Sequence, residues 1–240
     1  MIFGEGYIEH VRSVEQKQLA AAENGAERKM CGISGCIAFS GRFWYSVLNR
    51  EKTEFTRGIH VNWVDEVRLR QKRKNQVLFG KDSECLQDLI TLLYGQDHRT
   101  IALWAFDFAD ESITLLEEKY PDENRPREAL EAAWDWAGGK IKMHLAQRKI
   151  LDCHAFAKEI DNKEDIAICH AIGQACAVVH TTGHAIGYPI YDLSAIVYRL
   201  GTDHCLEAVE QRRQQYIDRL FYWNEHVNDV TYAWAKFMLD

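Results

Sequence analysis

From Lys81 onward, apolar residues return every three or four positions, the spacing of amphipathic helices, and turn-forming residues divide the pattern into seven segments. Asp82 or Ser83 is placed to cap a first helix through Leu86, Leu89, Ile90 and Leu93 that ends near Gly95. A second opens on Asp97, His98, Arg99 and Thr100 and carries Ile101, Leu103, Trp104, Phe108, Ile113, Leu115 and Leu116 to residue 120, where Pro121 stops it. Arg125-Pro126-Arg127 introduces a third, with Pro126 in the first turn, and Gly138-Gly139 closes it. Further helices are predicted over residues 141–160, 163–180, 184–200 and 206–227. The fifth is rich in Ala, Ile and Val with almost no charge after Ala171, which predicts a buried helix. Short connections between such elements predict an all-α bundle or array of about seven mostly antiparallel helices.

Residues 1–79 break this regularity. A short helical window at 7–27 is followed by Cys31 to Cys36, an aromatic patch at Phe43, Trp44 and Tyr45, and a basic tract of Arg68, Arg70, Lys72, Arg73 and Lys74. We therefore expect a poorly patterned N-terminal extension over residues 1–79 and a helical domain over residues 80–240. The basic tract reads as a solvated linker in preference to a nucleic-acid or membrane-surface contact. A purine-rich ribosome-binding sequence read in frame encodes Lys, Arg, Glu and Gly, and Val77 and Leu78 can be specified by alternative start codons. On that hypothesis translation begins near Val77, and mass spectrometry of the native protein finding Met1 intact would refute it.

Composition narrows the class. With 47% hydrophobic and 27% charged residues and only three prolines, the 240-residue chain fits a globular, helix-favouring protein. No run reaches the roughly 18 apolar residues of a membrane span, and no secretory signal is recognised at residues 1–10, so a cytoplasmic location is the expectation. Seven cysteines without repeated spacing read as reduced thiols, and a zinc site at Cys31 and Cys36 is disfavoured for want of a second pair. Residues 1–75 carry a charge of +4 and the remainder −11. The body is acidic.

Three constellations bear on chemistry. His180 and His184 fall one turn apart if the helix continues through Thr181, Thr182 and Gly183, so they are the metal candidates. Thr181 stands where a zincin helix has glutamate, and the competing reading is a structural pair in which His180 makes a buried hydrogen bond. Asp107, Asp110 and Glu111 share a helix and allow acid-base chemistry, though a solvated face is the simpler reading. Cys153 beside His154 and Cys169 beside His170 point about 100° apart on a helix, so neither neighbouring pair makes a thiol-imidazole dyad. Arg125 and Arg127 either meet an acidic partner or pair with Glu117, Glu118, Glu128 or Asp122 and pin the turn, the second being preferred. No phosphate loop, nucleophile elbow or dinucleotide fingerprint is present.

The words Asp97 to Asp107, Glu118-Lys119-Tyr120-Pro121, Arg125-Pro126-Arg127 and Ala132 to Ala137 occur here in an order that resembles the helical immunity proteins of bacterial polymorphic toxin systems, the immunity-five-like domain. Residues 139–143, 171–175 and 180–185 fit the same order. The resemblance covers roughly residues 81–200, extends more loosely to the last helix, and leaves out residues 1–75. It implies an all-α fold and neutralisation of a cognate toxin, here expected to be by stoichiometric binding, without implying an enzyme, and no cofactor is expected. A nuclease is a suitable toxin, because an acidic body complements a basic nucleic-acid cleft. Candidate contacts are Asp107, Asp110, Glu111, Asp122, Glu123 and Arg125, with no membrane and no direct nucleic-acid contact expected. The rival functions are a metal-binding protein or metal-dependent hydrolase built on His180 and His184, and a helical scaffold or regulatory domain.

Overall fold

A computed structural model describes residues 63–239, which lie in the compact unit Gly41–Asp240. Among the described residues there are eight α-helices and no strand. They are α1 (Trp63–Lys72), α2 (Gln87–Tyr94), α3 (His98–Lys119), α4 (Arg125–Ala137), α5 (Met143–Phe156), α6 (Lys163–Ala177), α7 (Gly187–Leu200) and α8 (Leu206–His226), with 3-10 turns at Glu84–Leu86, Thr182–His184 and Lys236–Met238. The predicted all-α architecture is present. The helical window at 7–27, the pair Cys31 and Cys36, and the aromatic patch at 43–45 fall outside the described residues.

Helix α3 is the axis of the body. Asp97 caps it, its carboxylate accepting from the Arg99 and Thr100 amides and from the Thr100 hydroxyl. Its first three turns are covered almost all round, because α4, α6 and α8 pack against it. Trp104 sits fully buried and donates its indole N–H to the Tyr216 carbonyl at 2.8 Å. Around it Phe108, Tyr188 and Tyr216 meet at centroid distances of 5.1 to 6.5 Å, mostly edge to face. Each such buried ring contributes roughly 2 to 3 kcal/mol from apolar area alone.

Helix α6 is the second buried element. Asn162 caps it, and Asp165 in its first turn is tied by Lys119 at 2.6 Å and Tyr120 at 2.8 Å, which fastens its start to the end of α3. Small residues at 167, 171, 173 and 175 let α5 and α7 approach it closely. The neighbours α4 and α5, α5 and α6, and α6 and α7 are packed pairs joined by short connections, the geometry of antiparallel helix hairpins.

Three features lie beyond the helical pattern. Helix α6 stops at Ala177 rather than at residue 180, because Thr181 is extended and its hydroxyl accepts from the Gly183 amide, taking up backbone that a helix would use. Helix α1 and residues 78–79 pack on the body. Trp63 and Val67 of α1 are buried, Trp63 donates to Glu210 at 2.9 Å and stacks near Phe79, and the Leu78 amide donates to Ser194 at 2.9 Å. Finally, the chain after α8 runs back across the end of α4, with the Ala235 amide on the Ala137 carbonyl and the Tyr232 hydroxyl on the Trp134 carbonyl. Gly138 makes room for that strap, since a Cβ there would collide with the Tyr232 hydroxyl.

Candidate partner-binding site

The acidic residues of α3 point to two different neighbours. Asp107, only 7% exposed, accepts from the Arg219 guanidinium and from the Trp223 indole N–H at 2.9 Å, both on α8. Glu111 lies one turn further on the same side and takes Arg212 at 2.9 Å and Arg219 at 3.2 Å. Asp110 faces the other way and pairs with Arg127 of α4, whose fork also grips Glu117 at 2.8 and 2.9 Å. The three carboxylates therefore do not form one acidic face; they dock α3 to α8 and to α4.

Beneath Glu111 the pairing becomes a buried network. Arg212 reaches Asp192 at 2.7 Å and the Tyr188 hydroxyl at 3.1 Å, and its plane lies 4.6 Å from the Phe108 ring centroid. The Tyr188 hydroxyl donates to the Phe108 carbonyl and is hydrogen-bonded to Ser112, while Tyr216 donates to Asp192. Burial opposes the charge of Arg212, yet Asp192, the two tyrosines and Glu111 hold its pKa well above the ordinary value. Burial raises the Asp107 carboxyl, against the pull of Arg219. Desolvation raises both tyrosines too, with Asp192 adding to it. A network of this kind fixes helix register.

The second group sits at the turn between α3 and α4. Asp122 is exposed, whereas Glu123 and Arg125 pair with each other, and Arg125 also holds Glu159 at the end of α5 while lying 5.2 Å from the Phe156 ring centroid. Its guanidinium keeps the Glu123 and Glu159 carboxyls below their usual range. Arg125 and Arg127 thus take up the turn-pinning role expected of them, with Glu117 among the anticipated partners and Asp110, Glu123 and Glu159 added.

His180 and His184 do not stand one helical turn apart. His180 is exposed and stacks 6.3 Å from the Trp136 ring, so the buried hydrogen bond expected of it is absent. His184 occupies the 3-10 turn with Nδ1 3.0 Å from the Gln174 amide oxygen, and its pKa is lowered by burial first and then by His180 and Lys81. Among the described residues, no group of three or more His, Cys, Asp or Glu comes together in a metal-ligating cluster. The Cys153 thiol donates to the Cys169 carbonyl, and burial raises the pKa of both thiols. Their neighbours His154 and His170 meet each other instead.

Arg212 and Arg219 were the residues the sequence reading passed over. The signal was available: Arg212, Tyr216, Arg219 and Trp223 recur at i, i+4, i+7 and i+11, a polar and aromatic stripe on one side of α8.

The model of a family described as Imm-5 like putative immunity protein matches residues 91–220, just over half of the chain, from α2 to late in α8. No curated protein and no solved structure matches.

Proposed function

Because the chain belongs to the Imm-5 like putative immunity protein family, we propose that it neutralises a cognate bacterial toxin by stoichiometric binding in the cytoplasm. The family match carries this reading. Asp107 and Asp192 are engaged in helix-to-helix pairing, which supports the reading that this cluster holds the fold and that a partner meets the more accessible residues around it. Among the described residues, no helix is long and apolar enough to cross a membrane.

The proposed contacts divide by accessibility. Asp110, Glu111, Glu123 and Arg125 are half-buried and Asp122 is exposed, so these are the residues offered to a partner, while Asp107 supports them from within. An acidic body suits a toxin with a basic active-site cleft, as a nuclease has, by speeding encounter and competing with substrate phosphates.

The test is growth rescue. Each open reading frame flanking the gene is expressed with and without this chain, and a toxic neighbour is then purified together with it. Rescue with a one-to-one complex supports the proposal. If a toxic neighbour kills equally in its presence, or rescue occurs without complex formation, binding-based immunity is abandoned and the scaffold reading takes its place.

A further inference from the structure

The seam between α5 and α6 contains a feature the immunity reading does not use. His154 of α5 and His170 of α6 face each other with their Nδ1 atoms 2.8 Å apart and ring centroids at 5.0 Å. Two neutral imidazoles can hold that contact only if one Nδ1 carries a proton and donates it to the bare Nδ1 of the other. A first added proton goes to the free Nε2 of the donor ring, leaving the bond intact. A second must go to the accepting Nδ1, which sets two N–H groups and two positive charges against each other.

The surroundings leave no easy escape. The His154 ring lies directly on Gly173 of α6, where a Cβ would overlap its Cε1 and Nε2 atoms. Tyr191 of α7 covers His170 at 5.2 Å. Burial, the charge of the partner ring and Lys158 push His154 down to about 4, and burial with Lys158 lowers His170. The charges on the other packed elements are engaged elsewhere: Arg125 with Glu123 and Glu159, Lys149 with Glu128, Lys119 with Asp165, Asp192 with Arg212, and Arg199 with Glu164.

We propose that His154 and His170 form an acid-operated latch, which holds α5 to α6 while at least one ring is neutral and loosens that seam when both are protonated. The Cys153 thiol beside it, bonded across the same seam to the Cys169 carbonyl, would open with it. The latch is independent of what the chain binds.

The sign follows from linkage. Imidazoles that are harder to protonate when folded add stability above their ordinary value of 6.5, and that stability is lost as pH falls toward 4. For His154 alone the full shift amounts to about 25-fold in the unfolding equilibrium between pH 7 and pH 5; because the ring is partly exposed, about tenfold is expected. The experiment follows amide hydrogen exchange in the intact chain at pH 7 and pH 5, corrected for intrinsic rates. Opening of α5 and α6 should rise about tenfold in the unmodified protein and less than fivefold in His154→Gln, where burial of His170 still contributes. Imidazole 15N shifts of the unmodified chain supply a second reading that no folding defect confounds. One proton shared between the two Nδ1 atoms at pH 7, with the accepting Nδ1 taking up its own proton only at acid pH and together with the exchange change, supports the latch. Both rings protonated by pH 6, or equal pH dependence in the variant, overturns it.

Discussion

Replacement of Asp107 tests whether the α3 carboxylates are internal struts or partner contacts. In Asp107→Leu the Trp223 indole loses its acceptor, at about 1 to 3 kcal/mol. Removing one member of a buried ion pair costs about 3 to 5 kcal/mol when the other is stranded. Here that figure is discounted, because the Arg219 side chain is 22% exposed and keeps Glu111 at 3.2 Å. Burial already raises the Asp107 carboxyl, so part of the pairing energy is spent on desolvation. We expect a loss of about 3 kcal/mol for Asp107→Leu, and about half of that for Asp107→Asn, which still offers Trp223 an oxygen. The assay is urea unfolding at pH 7, followed by far-ultraviolet circular dichroism and tryptophan fluorescence with the slope m held common. Toxin affinity measured below the transition should change less than threefold in the Asn variant. Stability within 0.5 kcal/mol of the parent in both variants, together with a tenfold or greater loss of affinity, would refute the internal-strut argument and put Asp107 at the interface.

Truncation at Val77 removes α1, uncovering Phe79 and depriving Glu210 of its Trp63 donor. The fragment 77–240 should therefore melt several degrees below fragment 61–240 in a thermal scan, and equal melting would show that α1 adds nothing to the body. The Arg125 clamp gives stability above the usual glutamate value of 4.5, which fades as pH falls below it, because Glu123 and Glu159 are held low when folded. Arg125→Met should lower stability by a constant amount between pH 5 and 7 and flatten the profile below pH 4.5, where the parent's advantage fades, measured by urea titration at each pH. Asp122→Lys reverses an exposed charge and should slow association with a basic toxin a few-fold at low salt while leaving the melting temperature unchanged, as read by stopped-flow mixing and a thermal scan. An association rate indifferent to this change would remove Asp122 from the encounter surface.

Local chemistry made the helix boundaries legible wherever a cap or breaker governs them: Asp97, Pro121, Pro126 and Gly138 each mark the ends they were expected to mark. Where tertiary contacts decide, the pattern was mute. Helix α1 has only Trp63 and Val67 turned inward, too few positions to show a period, and Trp63 is held by Phe79 and by Glu210, 147 positions further along the chain. The strap over α4 is irregular backbone held by tyrosine and tryptophan, which no periodicity announces. Charges on α3 read as a wet face because a carboxylate looks the same in sequence whether it meets water or arginine. Only the spacing of Arg212 and Arg219 on another helix separates Asp107, which is covered, from Glu118, which is exposed.

On the proposed reading, the same pairing bears on how the chain would meet a basic toxin. Arg125, Arg127, Arg212 and Arg219 together contact seven carboxylates, Glu123, Glu159, Asp110, Glu117, Asp192, Glu111 and Asp107. Four guanidiniums are shared among seven carboxylates, and the pairing fixes acidic character at the surface through Asp110, Glu111, Glu117, Glu123 and Glu159, while Asp107 and Asp192 are covered. Exposed Glu118, Asp122, Glu131, Asp218 and Glu225 add to it from flexible side chains. Fixed charge costs a partner little ordering entropy, whereas flexible charge acts mainly through long-range attraction that salt screens within about 10 Å. A basic toxin would then be drawn in by the second set and held in register by the first, in particular by Glu111, which two arginines already orient.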